Sequence, residues 1–226
     1  MITSCDGHGS YEVPPRWHAA AAVGTVGTTL LLGGHDVDFR ERSLSVSLER
    51  AFGDRFVLQV GGGAILDGTL TVGGVAHTVD PGWVAAAGFS YRLADEKKRA
   101  PFVLFTYGFA VGRTHTHLRD TPTSSVASVA MLSTGADKVP LTAIDLARVG
   151  LTIGKSFGPL TPFASARVFG GPVFWNVDGA SATGGDRYHF QLATGASLRP
   201  GAGFDLFAEW AFVGERRVSA GVGVSF

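Results

Sequence analysis

The last ten residues, Arg217 to Phe226, read R-V-S-A-G-V-G-V-S-F. Val218, Ala220, Val222, Val224 and Phe226 fall on one face; Arg217, Ser219, Gly221, Gly223 and Ser225 fall on the other. Strict period-two alternation is the signature of a strand, because successive strand side chains point to opposite sides. The preceding stretch repeats it, with Phe204, Leu206, Ala208, Trp210 and Phe212 against Asp205, Phe207, Glu209 and Ala211. The same alternation recurs over Tyr188–Leu198, Val103–Val111, Trp83–Arg92 and Ser43–Glu49. About ten strands are expected, near 16–30, 42–52, 55–66, 82–93, 101–113, 143–155, 161–175, 187–198, 203–213 and 216–226. Segments of about 9 to 14 residues match a tilted strand that crosses a bilayer.

The composition says which face points outward. A soluble barrel buries its Val/Phe face and needs Lys and Glu on the other. Here the second face is mostly Gly, Ala, Ser and Thr, and charged residues make up only 17% of the chain. The alternation therefore reads as apolar side chains toward lipid and small or polar ones in a narrow lumen. The 32 glycines fit that crowded interior.

Formal charge is zero, from 19 basic and 19 acidic residues without a basic stretch, so no nucleic-acid partner is expected. One cysteine excludes a disulfide framework and a cysteine-based zinc site. Ala19 to Gly34 is the nearest approach to a helical span. Its glycines and threonines favour a strand instead, and a helix of that length would reach only about 24 Å.

Connections are expected to alternate between short and long. Joins after the second, fourth, sixth and eighth strands are short, whereas Thr114 to Leu141 is longest. Short turns on one side and longer loops on the other characterise membrane barrels, and both chain ends on the short-turn side require an even strand number. Ten fits best, with eight or twelve as alternatives. Two aromatic belts are also expected. Phe52, Phe56, Phe89, Tyr91, Phe102, Phe157, Phe163, Phe204 and Phe226 lie beside the short turns. Trp83, Phe109, Phe174, Trp175, Tyr188, Trp210 and Phe212 lie toward the opposite ends.

Over residues 16–226 the chain resembles a small bacterial outer-membrane β-barrel, an all-β, antiparallel, up-and-down fold. The terminal strand carries the resemblance, with Phe226 last and Val224, Val222 and Val218 at alternate positions. The resemblance implies a bacterial outer-membrane location among outer-membrane lipids. It also implies that the barrel-assembly machinery reads the terminal aromatic strand. Residues 1–15 are expected to form a flexible leader, and Ile2-Thr3-Ser4-Cys5 loosely resembles a lipidation signal without its apolar segment.

Within the lumen, Glu49, Arg92, Arg148, Arg167, Asp205, Glu209 and Arg217 share the inward parity of their strands. Buried charges must pair, so these seven are expected to form an ion-pair and hydrogen-bond network. A Phe212–Val218 pairing would set Glu209 opposite Gly221 and Phe207 opposite Gly223. The neighbouring Leu198–Phe204 pairing would set Glu209 opposite Ala193 and Phe207 opposite Gly195.

The expected role is non-enzymatic: a narrow channel, a structural barrel, or a platform whose outer loops bind a ligand or protein. The alternative is a membrane-embedded hydrolase acting on protein or lipid. Its material is thin: His35-Asp36 with Asp38, no Gly-x-Ser-x-Gly elbow, and Ser124 and Ser125 in a loop. A soluble lipid carrier is a third class, distinguished by solubility without detergent. His115 and His117, with His35, Asp36, Asp38 and His77, are loosely spaced for metal binding, so neither metal nor cofactor is expected.

Overall fold

The computed structural model describes residues 17–97, 100–118, 138–177, 180–201 and 203–226. The leader, Cys5 and most of the Thr114 to Leu141 loop, with Ser124 and Ser125, lie outside the described residues.

The chain forms β1 (Trp17–Leu32), β2 (His35–Phe52), β3 (Phe56–Val72), β4 (Val75–Val79), β5 (Gly82–Ala94), β6 (Phe102–Leu118) and β7 (Val139–Gly154). It continues with β8 (Leu160–Gly170), β9 (Val173–Val177), β10 (Ala180–Asp186), β11 (Phe190–Gly201), β12 (Phe204–Gly214) and β13 (Arg216–Ser225). Ten of these strands close an antiparallel up-and-down barrel in the order β1-β2-β3-β5-β6-β7-β8-β11-β12-β13. The seam between β13 and β1 runs from His18–Ser225 to Gly27–Arg216. Reciprocal backbone hydrogen bonds between Trp17 and Phe226, at 3.1 and 2.9 Å, finish it.

At the end away from the termini, the far end, the wall changes strand number. β4 pairs with both β3 and β6 above the start of β5. β9 and β10 form a hairpin that pairs with β7 on one side and β1 on the other. β8, β11, β12 and β13 stop below that hairpin. The far end is thus a second closed ring, β1-β2-β3-β4-β6-β7-β9-β10, of eight strands.

Two expected loops are therefore strand extensions. β1 runs into β2 through Gly33-Gly34, at φ +58° and +83°, and β3 into β4 through Gly73-Gly74, at φ +55° and +85°. Two consecutive left-handed residues make the tight hairpin turn whose twist matches paired strands, and glycine adopts them without strain. The segment expected at 161–175 is split into β8 and β9 at Gly171-Pro172. A Cβ on Gly171 would lie 1.8 Å from the Ile144 carbonyl oxygen, and proline cannot donate to the ladder.

β2 shows how one strand serves both rings. Its outward side chains run Asp36, Asp38, Arg40, Arg42, then Leu44, Val46, Leu48, then Arg50. Its inward ones run Val37, Phe39, then Glu41, Ser43, Ser45, Ser47 and Glu49. The amphipathic sense inverts near Arg42: apolar outside in the ten-stranded part, apolar inside in the eight-stranded part. Arg42 to Arg50 spans about 27 Å at the usual strand rise, or about 20 Å along the axis of a tilted barrel. That is close to the apolar band of a transmembrane barrel.

Val46 lies midway in this band with 57% of its surface exposed. Val46→Arg is expected to destabilise the barrel by about 2–4 kcal/mol in bilayers, measured by reversible urea unfolding, while Asp38→Arg above the band changes little. Equal effects at the two positions would place the band elsewhere.

Three aromatics expected in the belts turn inward instead. Phe102, Phe163 and Trp175 are 2%, 6% and 3% exposed. Phe102 covers Gly154 and Phe163 covers Gly195; a Cβ on either glycine would fall within 2.5 Å of the ring. The glycines make room for rings that fill the lumen.

Candidate functional site

The interior is filled in layers. In the eight-stranded ring, Leu30, Leu32, Val37, Ile65, Leu70, Val72, Val79, Leu141, Val173 and Trp175 form a buried cluster. Trp175 Nε1 donates to Thr116 Oγ1 at 2.8 Å, and the His77 ring meets the indole edge-on at 5.3 Å. Burial holds the His77 pKa below its ordinary value, and nearby His117 pushes it the same way. An eight-stranded ring is just wide enough for side chains to fill.

Below that cluster lies a belt of charge. Arg167 on β8 donates to Glu209 on β12 through both terminal nitrogens, and its Nη1 also donates to Gln191 Oε1 at 2.8 Å. Gln191 is fully buried and donates through Nε2 to Glu215 Oε1 at 2.9 Å. Arg148 on β7 forms a fork with Glu215 at 3.3 and 3.2 Å and donates through Nε to Asp145 Oδ2 at 2.9 Å. Its guanidinium also stacks over Phe169, 4.1 Å from the ring centre. Arg217 is buried beside this group. Arginine suits this work because its planar fork satisfies two acceptors at once.

A second polar group closes the terminal end. His18 Nε2 lies 2.9 Å from Asp205 Oδ1 and His18 Nδ1 lies 3.6 Å from Glu49 Oε2. Gln59 Nε2 donates to Glu49 Oε1 at 2.7 Å.

The structure thus brings Arg148, Arg167, Glu209 and Arg217 together in the belt and sets Glu49 and Asp205 apart around His18. Arg92 joins neither group; its Nη1 lies 3.9 Å from Asp95 beside a turn. Strict parity missed Asp145; Glu215, Gln191 and His18 were not singled out, although Gln191 shares the inward parity of its strand. A bulge between Gly108–Arg148 and Ala110–Asp145 turns residues 145 and 148 to the same side, although strict alternation opposes them.

The last hairpin is also in a different register from that expected. Phe212–Val218 is replaced by Trp210–Val218, which sets Glu209 opposite Ser219 and Phe207 opposite Gly221. On the other edge Glu209 faces Gly195 and Phe207 faces Ser197, because Leu198 pairs with Leu206. Both shifts are of two residues, so every face is kept. The cause at the first is Gly214, at φ +75°, which carries the chain one turn further and aims Glu215 inward.

Between the apolar cluster and the charged belt is a cavity of about 140 Å³, open along part of its boundary. Leu30, Ile65, Leu141 and Val173 line its far side, and Glu41, Asp145, Arg148, Asp186 and Glu215 its near side.

The remaining candidates lie on the outer surface of the far ring. Asp36 pairs with Arg187, and Asp38 accepts from Thr29 Oγ1 at 3.1 Å. His117 Nδ1 lies 3.0 Å from Asp80, which Lys138 also approaches at 3.4 Å. Among the described residues no three histidine, cysteine or acidic groups converge as a metal would require.

No family model matches the chain, and no curated protein matches it. Solved structures do. The translocator domain of the autotransporter NalP from Neisseria meningitidis aligns at a TM-score of 0.57 and 14% identity, over 98% of this chain and 90% of that one. The outer membrane protease OmpT from Escherichia coli aligns at 0.59 and 10% identity, over 94% and 97%. The transport unit of the autotransporter AIDA-I from Escherichia coli aligns at 0.52 and 9% identity, over 100% and 93%. The chain has the fold of an outer-membrane β-barrel. At these identities the likeness extends to the fold alone, and these neighbours include both autotransporter units and a protease. The lumen of this chain holds an apolar cluster, a charged belt and a polar group at the terminal mouth.

Proposed function

We propose that this protein is a non-enzymatic barrel of the bacterial outer membrane with a closed lumen, serving as a membrane-embedded structural and binding barrel. The stacking of the apolar cluster on the Arg148–Arg167 belt carries this reading. Water and ions that enter at the terminal mouth meet charges paired with one another, Arg167 with Glu209 and Arg148 with Glu215 and Asp145. Beyond them they meet the buried apolar cluster of the eight-stranded ring, and an apolar constriction opposes ion passage. The band between Arg42 and Arg50 supports insertion in a bilayer among outer-membrane lipids. Phe226, 66% exposed on the terminal strand, is suited to recognition by the barrel-assembly machinery.

Planar-bilayer recording tests the closed lumen. The wild-type barrel is expected to give no conductance steps. Glu209→Ala is expected to stay silent as well, because the far ring remains filled. Reproducible steps from the wild-type protein would overturn the proposal in favour of a narrow channel.

A further inference from the structure

On the outer wall, just above the apolar band, β1 changes partners. It pairs with β13 as far as Gly27–Arg216, and from Leu30–Asp186 onward it pairs with β10. Gly27 has Arg216 on one side and Arg40 of β2 on the other, and residues paired directly across strands share a face. Both arginines are exposed, on the lipid-facing parity of Val218 and Leu44. The space over Gly27 is open: a Cβ built there would meet only the Arg40 side chain, with its Cγ 3.8 Å away. The acids of this face are engaged elsewhere, Asp67 with Arg42, Asp36 with Arg187 and Asp38 with the Thr29 hydroxyl. Among the described residues neither Arg40 nor Arg216 has an ion-pair partner. Below them Thr25 is exposed, and then Val23, Leu44, Val218 and Trp210 form an apolar ledge continuous with the lipid band.

We propose that Arg40 and Arg216 hold the phosphate monoester of an acyl lipid in the leaflet at the far end of the barrel. The phosphate sits over Gly27, and the acyl chains run down along Val23, Val218 and Trp210. Two strand spacings set the arginine backbones about 10 Å apart, a span that two long guanidinium side chains close around one phosphate. Each guanidinium fork matches a pair of phosphate oxygens. A monoester has three free oxygens and more than one charge, so it uses both forks; a diester has two free oxygens and a single charge. Free phosphate would gain nothing from the apolar ledge, and headgroups already occupy the level at which that ledge ends. The bound lipid bridges β13, β1 and β2 where β13 ends and the wall passes to β10. This site concerns the outer wall, so it stands whether or not the lumen conducts.

The test uses the full chain in a neutral detergent, titrated with dioleoyl phosphatidic acid and with dioleoyl phosphatidylglycerol and followed by native mass spectrometry. The two lipids share their chains and differ in monoester against diester. A saturable adduct of one phosphatidic acid per barrel is expected, held at least about fivefold more tightly than phosphatidylglycerol. Arg40→Gln and Arg216→Gln should each weaken it about tenfold, because each removes one charge-assisted fork. Gly27→Leu, which fills the gap without altering charge, should weaken it as well. Arg50→Gln, at an exposed arginine of the terminal end, should leave it unchanged. Heat-modifiable gel migration confirms that each variant compared is a folded barrel. Equal affinity for the two lipids, or equal loss in Arg50→Gln, would reduce the effect to general charge attraction and overturn the proposal. Displacement of the lipid by an equal concentration of inorganic phosphate would overturn it too, since the acyl chains would then contribute nothing.

Discussion

Arg167→Met is expected to destabilise the folded barrel by about 3 kcal/mol, read from urea unfolding in detergent or bilayers. The substitution keeps most of the side-chain volume and removes the charge. Glu209 then stays buried without its two-pronged donor, and Gln191 Oε1 loses its 2.8 Å partner. Breaking a buried pair from one side costs about 3–5 kcal/mol, because the remaining charge is neither solvated nor compensated. The lower end applies here, since Arg217 and Arg148 are buried in the same belt. Arg167→Met with Glu209→Leu removes both charges and should recover much of the loss. The residue left over is the unsatisfied Gln191 oxygen, about 1–3 kcal/mol. A double variant as unstable as the sum of its singles would mean that the pair is not coupled and that the belt is not a network.

That network was only half legible in the sequence. Parity along β8, β12 and β13 is unbroken, so Arg167, Glu209 and Arg217 are visible as inward residues from alternation alone. On β7 the bulge beside Phe109 resets parity, and nothing local announces it. Asp145 therefore reads as outward, although it is the partner that lies three residues from Arg148. Glu215 reads as part of a short join, because a glycine at Gly214 signals a turn whether the chain then faces in or out. Arg92 reads as inward, but its position beside a turn leaves Asp95 closer than any lumen acid. Pairing partners depend on register and bulges, and those are settled by contacts across the barrel rather than along the strand.

The ten-stranded band was legible for the opposite reason: each strand carries its own alternation, and closing the barrel only adds them together. The eight-stranded end was not, although its signal was present. His35 to Phe39 alternates as strictly as Ser43 to Glu49, but with the apolar residues on the other parity. Read as one strand with a constant lipid side, the two halves of β2 contradict each other, and the far half looks like a loop. Gly33-Gly34 and Gly73-Gly74 mark where the strands turn, and the parity inversion near Arg42 marks where lipid ends. Together these features identify strands that continue past the bilayer and bury an apolar face of their own.

That division predicts local, not global, failure when the plug is damaged. Trp175→Ala is expected to cost about 3–5 kcal/mol, the range for large-to-small changes at well-packed aromatic sites. Trp175 is 3% exposed, and its removal strips Thr116 Oγ1 of a donor and His77 of its edge contact. Trp175→Phe keeps most of the packing and loses the Nε1–H bond, so it should cost less, about 1–2 kcal/mol. Hydrogen exchange shows where the damage falls. Amides of β4, β9 and β10 should lose protection in Trp175→Ala, because these strands close only the eight-stranded ring. Amides of the seam from His18–Ser225 to Gly27–Arg216 should keep theirs, because lipid and the charged belt hold that wall independently. Simultaneous loss of protection in both sets would show that the two rings fold as a single unit. The closed lumen would then depend on the whole barrel rather than on its far end.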